Sequence, residues 1–184
     1  MTTGSIYVVI VLLGVALFFV VVGVRAFVKY RGVRVVTCPE TKQPAAVRVD
    51  AGHAAVSAAW DHTELRLEQC SRWPERGQCD QPCLKEISAA PHDCLLRSIL
   101  ARWFEGKKCV YCDRAVALAP HAQQPALRVP DGRTLDFAAI KPEELVAHLN
   151  ECTPVCFDCH LAEQFRREHP ELVTERPDFD QPRG

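Results

Sequence analysis

The chain has 184 residues, 48% of them apolar, with 22 basic and 23 acidic side chains, a composition typical of a folded protein and unlike that of a disordered one. Four of the bases lie beside an N-terminal apolar run, leaving 18 against 23 acidic residues in the remainder. That balance excludes a general nucleic-acid binder, which needs a basic patch or stripe, and ten cysteines fall short of a disulfide scaffold.

The first element is a helix. No charged side chain occurs from Thr2 to Val24, and "IYVVIVLLGVALFFVVVGV" has about the 20 apolar residues that cross a ~30 Å hydrocarbon core. A cleavable signal peptide carries positive charge before a shorter apolar stretch, whereas "MTTGS" has no basic side chain and the run ends in "RAFVKYRGVR". The expectation is a retained single-pass anchor over residues 1–31. Arg25, Lys29, Arg31 and Arg34 all follow it, so the positive-inside rule puts the N-terminus outside and the rest in the cytoplasm, with these four bases against anionic lipid.

Residues 32–106 read as strands followed by a helix. "VRVVTC" and "AAVRVDA" are expected to pair as strands, with "TELRLEQC" as a third. In "HDCLLRSILARWF", Leu95, Leu96, Ile99, Leu100, Trp103 and Phe104 recur at helical spacing. Trp60, Trp73 and Trp103 are expected in packing roles.

Residues 107–173 begin with "KKCVYCDRAV" and a Pro-rich loop. A hairpin is expected in "ALRVPDGRTLDF", turning at Pro130, Asp131 and Gly132. In "KPEELVAHLNEC", Pro142 in the first turn, Glu143 and Glu144 near the positive end, and Leu145 and Leu149 on one face predict an amphipathic helix. A last helix is expected to start with Thr153 as N-cap and Pro154 at its first position, and to stop at Pro170. Residues 174–184 read as a solvated tail. The fold class is therefore α+β: one transmembrane helix, then a small cysteine-rich domain of short antiparallel strands and three to four helices.

In a reducing cytosol, closely spaced cysteines point to metal or redox chemistry rather than disulfides. Cys109, Cys112, Cys156 and Cys159 make two CxxC pairs, the four soft ligands that a tetrahedral Zn²⁺ takes. A paired-cysteine turn, a hairpin and a pair opening a helix resemble the treble-clef zinc finger over Lys107 to about His169, with "CVYC" as knuckle and "CFDC" on the helix. The resemblance implies a structural zinc. Nucleases of the HNH type are similar, but their hairpin bears an Asp-His pair that activates water. This hairpin has none, and His121 in "APHAQQP" has no acidic neighbour. Rubredoxin-like iron sites also resemble the two pairs, with glycine after each where Asp113 and His160 stand here.

"CFDCH" is similar to the attachment motif of a c-type haem, implying bonds to Cys156 and Cys159 and His160 as axial ligand. That chemistry takes place on the outer side of the membrane. The single methionine is Met1, so His148 or His169 would have to be the other axial ligand. The alternative to a zinc module is thus a membrane-anchored electron-transfer protein with an Fe–S cluster or haem c at the same cysteines.

Cys70, Cys79, Cys83 and Cys94, with Cys38 as an alternative fourth member, form a candidate second metal site in a stretch with little apolar material to order it. Core packing is the competing reading for these, and the expected role of Cys152. Nothing points to catalysis. There is no phosphate-binding glycine loop, G-x-S-x-G or H-E-x-x-H, and His148 and Glu151 match no catalytic motif. CxxC also resembles the thioredoxin redox motif, which follows a strand and opens a helix; "CVYC" runs into a Pro-rich loop, and no strand is expected before "CFDC". The expected partners are the membrane and a protein docked near it.

Overall fold

A computed structural model of the chain describes residues 3–73, 79–118 and 123–172. His121 and the tail 174–184 lie outside the described residues. The chain divides into two compact units, residues 1–96 and 97–184, and the class is mixed α and β as the pattern predicts.

The first unit opens with α1 (Thr3–Tyr30), whose apolar side chains from Ile6 to Val24 are mostly exposed. The stretch Ile6–Tyr30 is long and apolar enough to cross a membrane. Gly32 (φ 101) turns the chain into β1 (Val33–Thr37), a backbone conformation that costs glycine little. β1 pairs antiparallel with β2 (Pro44–Val49), and β2 with β3 (Leu67–Cys70). Leu67 and alternate residues of β2, Ala45, Val47 and Val49, are buried, the period-two pattern of a sheet with one covered face. Their core is shared with Tyr30, Val36, Ala54, Ile87, Cys83 and Cys94.

Two helices here escape the periodicity argument. α2 (Ala51–Trp60) packs against the C-terminal part of α1: the Phe19 and Trp60 rings are 5.9 Å apart, and a Cβ at Gly23 would stand 3.4 Å from the Ala55 carbonyl oxygen. α3 is the single short run Leu84–Ala89. Trp60 is 82% exposed, against its expected packing role, while Trp73 does pack on the core.

Arg34 corrects a second expectation. It is fully buried rather than free to meet lipid headgroups. Its Nη1 donates to the carbonyls of Tyr30 (2.5 Å) and Gly32 (3.2 Å), Nη2 to Lys29 (2.7 Å) and Nε to Pro91 (3.3 Å). The guanidinium thus caps the negative end of α1, where carbonyls lack helical partners. Burial lowers its pKa, yet a guanidinium stays charged in proteins.

The second unit starts in α4 (Leu96–Phe104), which begins four residues later than the periodicity suggests and buries Leu100 and Phe104. The hairpin forms as expected from β4 (Ala126–Arg128) and β5 (Thr134–Leu135). α5 (Pro142–His148) has Pro142 and two glutamates in its first turn and buries Leu145, and Leu149 just beyond is buried too. Thr153 and Pro154 do not start a helix. They belong to β6 (Thr153–Val155), which pairs with β4 in a sheet of order β5-β4-β6. Proline lacks an N–H, a tolerable loss on this edge strand, and its carbonyl accepts from Val110 N–H at 3.0 Å. Cys156 is the true N-cap of α6 (Phe157–Glu168).

Candidate metal centre

Residues 109–114 form a tight loop. Cys109 N–H donates to the Arg114 carbonyl at 2.8 Å, and Asp113 N–H donates back to the Cys109 carbonyl at 2.9 Å. Asp113 sits in the left-handed region (φ 58), which aspartate tolerates better than most residues. A short bridge between Lys108 and Ala115 closes the neck. The loop therefore offers Cys109 and Cys112 from one turn.

The other pair arrives from the sheet edge. β6 delivers Cys156 to the α6 N-terminus, and Cys159 follows in the first helical turn, three residues on and so on the same face. The Val110–Pro154 bond ties the loop to β6, which brings positions 44 residues apart into contact: the Cys112 and Cys156 sulfurs are 3.6 Å apart. All four sulfurs lie within 4.8 Å of one another. A tetrahedron with Zn–S bonds of about 2.3 Å has edges of about 3.8 Å, so this set needs only small adjustments to surround an ion. Cys109 is buried and the others are half-buried. Among the described residues this is the one group of three or more Cys, His, Asp or Glu ligand atoms that converges so closely.

Electrostatics separates the four thiols. Arg114 Nε donates to Cys112 Sγ at 3.4 Å, and that bond leads the forces holding the Cys112 thiol down to about 6. Burial acts in the opposite direction on Cys156 and on Cys159, whose thiol is also raised by hydrogen bonds with its neighbours' sulfurs. Arg114 further spans to Cys156 Sγ (3.9 Å) and the Asp158 carboxylate (2.8 Å). One side of the cluster thus has a cation to offset thiolate charge. A cavity of about 170 Å³ borders this side, lined in part by Arg114, Val116, Phe157 and Asp158.

Other candidates are placed as follows. His160 is half-buried, and its Nδ1 is buried with no hydrogen-bond partner among the described residues. Cys152 is buried and donates to the His148 carbonyl at 3.5 Å, a packing position. His148 and Glu151 meet at 3.3 Å on the surface. Cys94 is buried, its sulfur donating to the carbonyls of Ala90 (3.6 Å) and Pro91 (3.8 Å). The strand expected to be missing before "CFDC" is present as β6, but it is antiparallel to β4, so the βαβ setting of a thioredoxin motif is absent among the described residues. Thr134, buried under α6, receives Arg167 Nη2 at 2.8 Å on its hydroxyl; sequence gave no signal for this tie. Comparison with protein-family models, with curated proteins and with solved structures finds no match for this chain.

Proposed function

We propose that the chain is a single-pass membrane protein whose second unit is organised by one structural zinc ion held by Cys109, Cys112, Cys156 and Cys159, and which docks a partner protein near the membrane. The observation that carries it is the convergence of all four sulfurs within 4.8 Å from a loop and a helix start far apart in sequence. Four thiolates close the coordination sphere and leave no position for activating water, so the role is structural. The path of loop, hairpin and helix start supports a treble-clef-like arrangement, with α5 and β6 inserted before the helix.

Retention of α1 is supported by what cleavage would remove: Tyr30 is part of the core, α2 packs along α1, and Arg34 caps its end. The cytoplasmic side for both units follows from Arg25, Lys29 and Arg31 on the C-terminal flank. Docking is supported by exposed apolar side chains around the cluster, Val110 in the loop and Leu161 and Phe165 one turn apart on α6.

Iron in the same four sulfurs is a second reading, favoured by Asp113 adopting the left-handed conformation that glycine takes in such loops. A c-type haem fits less well, since Cys156 and Cys159 face two other sulfurs. Elemental analysis and an absorption spectrum of the purified full chain decide. Stoichiometric zinc and no visible band are expected; a brown or red preparation overturns the zinc reading.

A further inference from the structure

The loop at Cys109 has a double in the first unit. In residues 38–43, Cys38 N–H donates to the Gln43 carbonyl at 2.9 Å, Lys42 N–H donates to the Cys38 carbonyl at 2.8 Å, and Lys42 is left-handed (φ 57). Each bond and the one strained residue match residues 109–114 position for position. The difference is the fourth residue, Thr41 in place of Cys112.

Three more cysteines reach the same end of the sheet. β3 runs back towards the β1–β2 turn, with Cys70 opposite Val47, and Ser71 exchanges hydrogen bonds with Ala46 (2.9 and 3.1 Å). The Arg72 side chain meets Gln43 in the turn itself. Gln81 fixes the next segment, its side-chain oxygen accepting from Leu67 N–H at 2.8 Å and its own N–H donating to Cys79 Sγ at 3.4 Å. Cys79 in turn approaches the Glu40 carboxylate at 4.0 Å. Cys83 lies in the core beneath. Packing accounts for Cys83 and Cys70, which belong to the core or lie against it, but not for Cys38 and Cys79, which are only half-buried.

We propose that Cys38, Cys70, Cys79 and Cys83 form a second, four-sulfur site for a divalent cation of zinc's softness, separate from the centre in the second unit. Cys94 is not a ligand, since its sulfur is turned to backbone carbonyls. No three of these sulfurs lie within 4.8 Å of one another, unlike the first four, so loading draws the side chains inward. Four thiols lose their protons as the cation enters, and the protons leave to solvent.

The test is zinc content of the full chain in detergent. Two zinc ions per chain are expected, falling to one in Cys38→Ser and in Cys79→Ser, both at half-exposed positions that the core does not need. Cys94→Ser keeps two. Cys112→Ser also retains one, and added Co²⁺ then gives the sulfur-to-cobalt charge-transfer band, which disappears when Cys38→Ser is added. One zinc per chain lost entirely with Cys112→Ser, two zinc ions retained in both Cys38→Ser and Cys79→Ser, or a Cys112→Ser protein without the cobalt band would each overturn the second site. Loss of the first site alone appears differently, as zinc content unaffected by Cys112→Ser.

Discussion

The loops at 38–43 and 109–114 share one backbone and differ in how they recruit sulfur. The later loop supplies two cysteines itself and needs only the start of α6 to complete a set of four. The earlier loop supplies one, with Thr41 where the second would stand, and in the proposed second site β3 and the segment before α3 supply the rest. The difference teaches that the turn sets direction while its fourth side chain sets how much distant chain must be ordered. A local pair makes a tight cluster, whereas dispersed cysteines leave a looser one.

The comparison breaks most visibly in the second unit. Cys109→Ser or Cys159→Ser should each release the ion, a contribution on the order of 10 kcal/mol in small zinc domains, and abolish cooperative unfolding of residues 97–184 as read by circular dichroism. Cys152→Ser should keep the metal. In the first unit the corresponding weight rests on Arg34. Arg34→Met leaves the Lys29, Tyr30, Gly32 and Pro91 carbonyls without their donor and should cost about 3 kcal/mol in denaturant melts.

Smaller changes sharpen the picture. Asp50 caps α2 by accepting from His53 N–H at 2.8 Å, so Asp50→Ala should cost about 1 kcal/mol. That bond, with help from Arg66, holds the Asp50 carboxyl below its ordinary range. The stabilisation is therefore present above the ordinary carboxylate pKa and lost as pH falls through the lowered one, which an acid titration of the melts would follow. In metal-free protein, Cys112 should be alkylated first at neutral pH, its rate falling as pH drops through about 6. Arg114→Ala removes the leading cause and should move that inflection upward, as measured by mass spectrometry.

What sequence could reveal tracks how local the physics is. β1, β2, β3, the 126–135 hairpin and α5 each carry their own period or turn chemistry, and all formed where expected. α2 was hidden because "AGHAAVSAAW" is mostly small and apolar, with only His53 and Ser57 to mark a polar face; the Asp50 cap was the clearer signal. Thr153 and Pro154 mimic a helix start, yet β4 offered an unpaired edge, and non-local pairing overrode the local signal. The two CxxC pairs were legible because each is a short-range motif. A match between loops 38–43 and 109–114 was not, since Lys42 and Asp113 share a dihedral angle and no chemistry.

The cap on α1 has a mechanical corollary. Glycine at position 32 would ordinarily be a swivel, but one guanidinium bolts the carbonyls on both sides of it. If α1 crosses a bilayer, a roll or tilt of that rod passes to the β1–β2 turn as torque, and Cys38 rides at a set height above the headgroups.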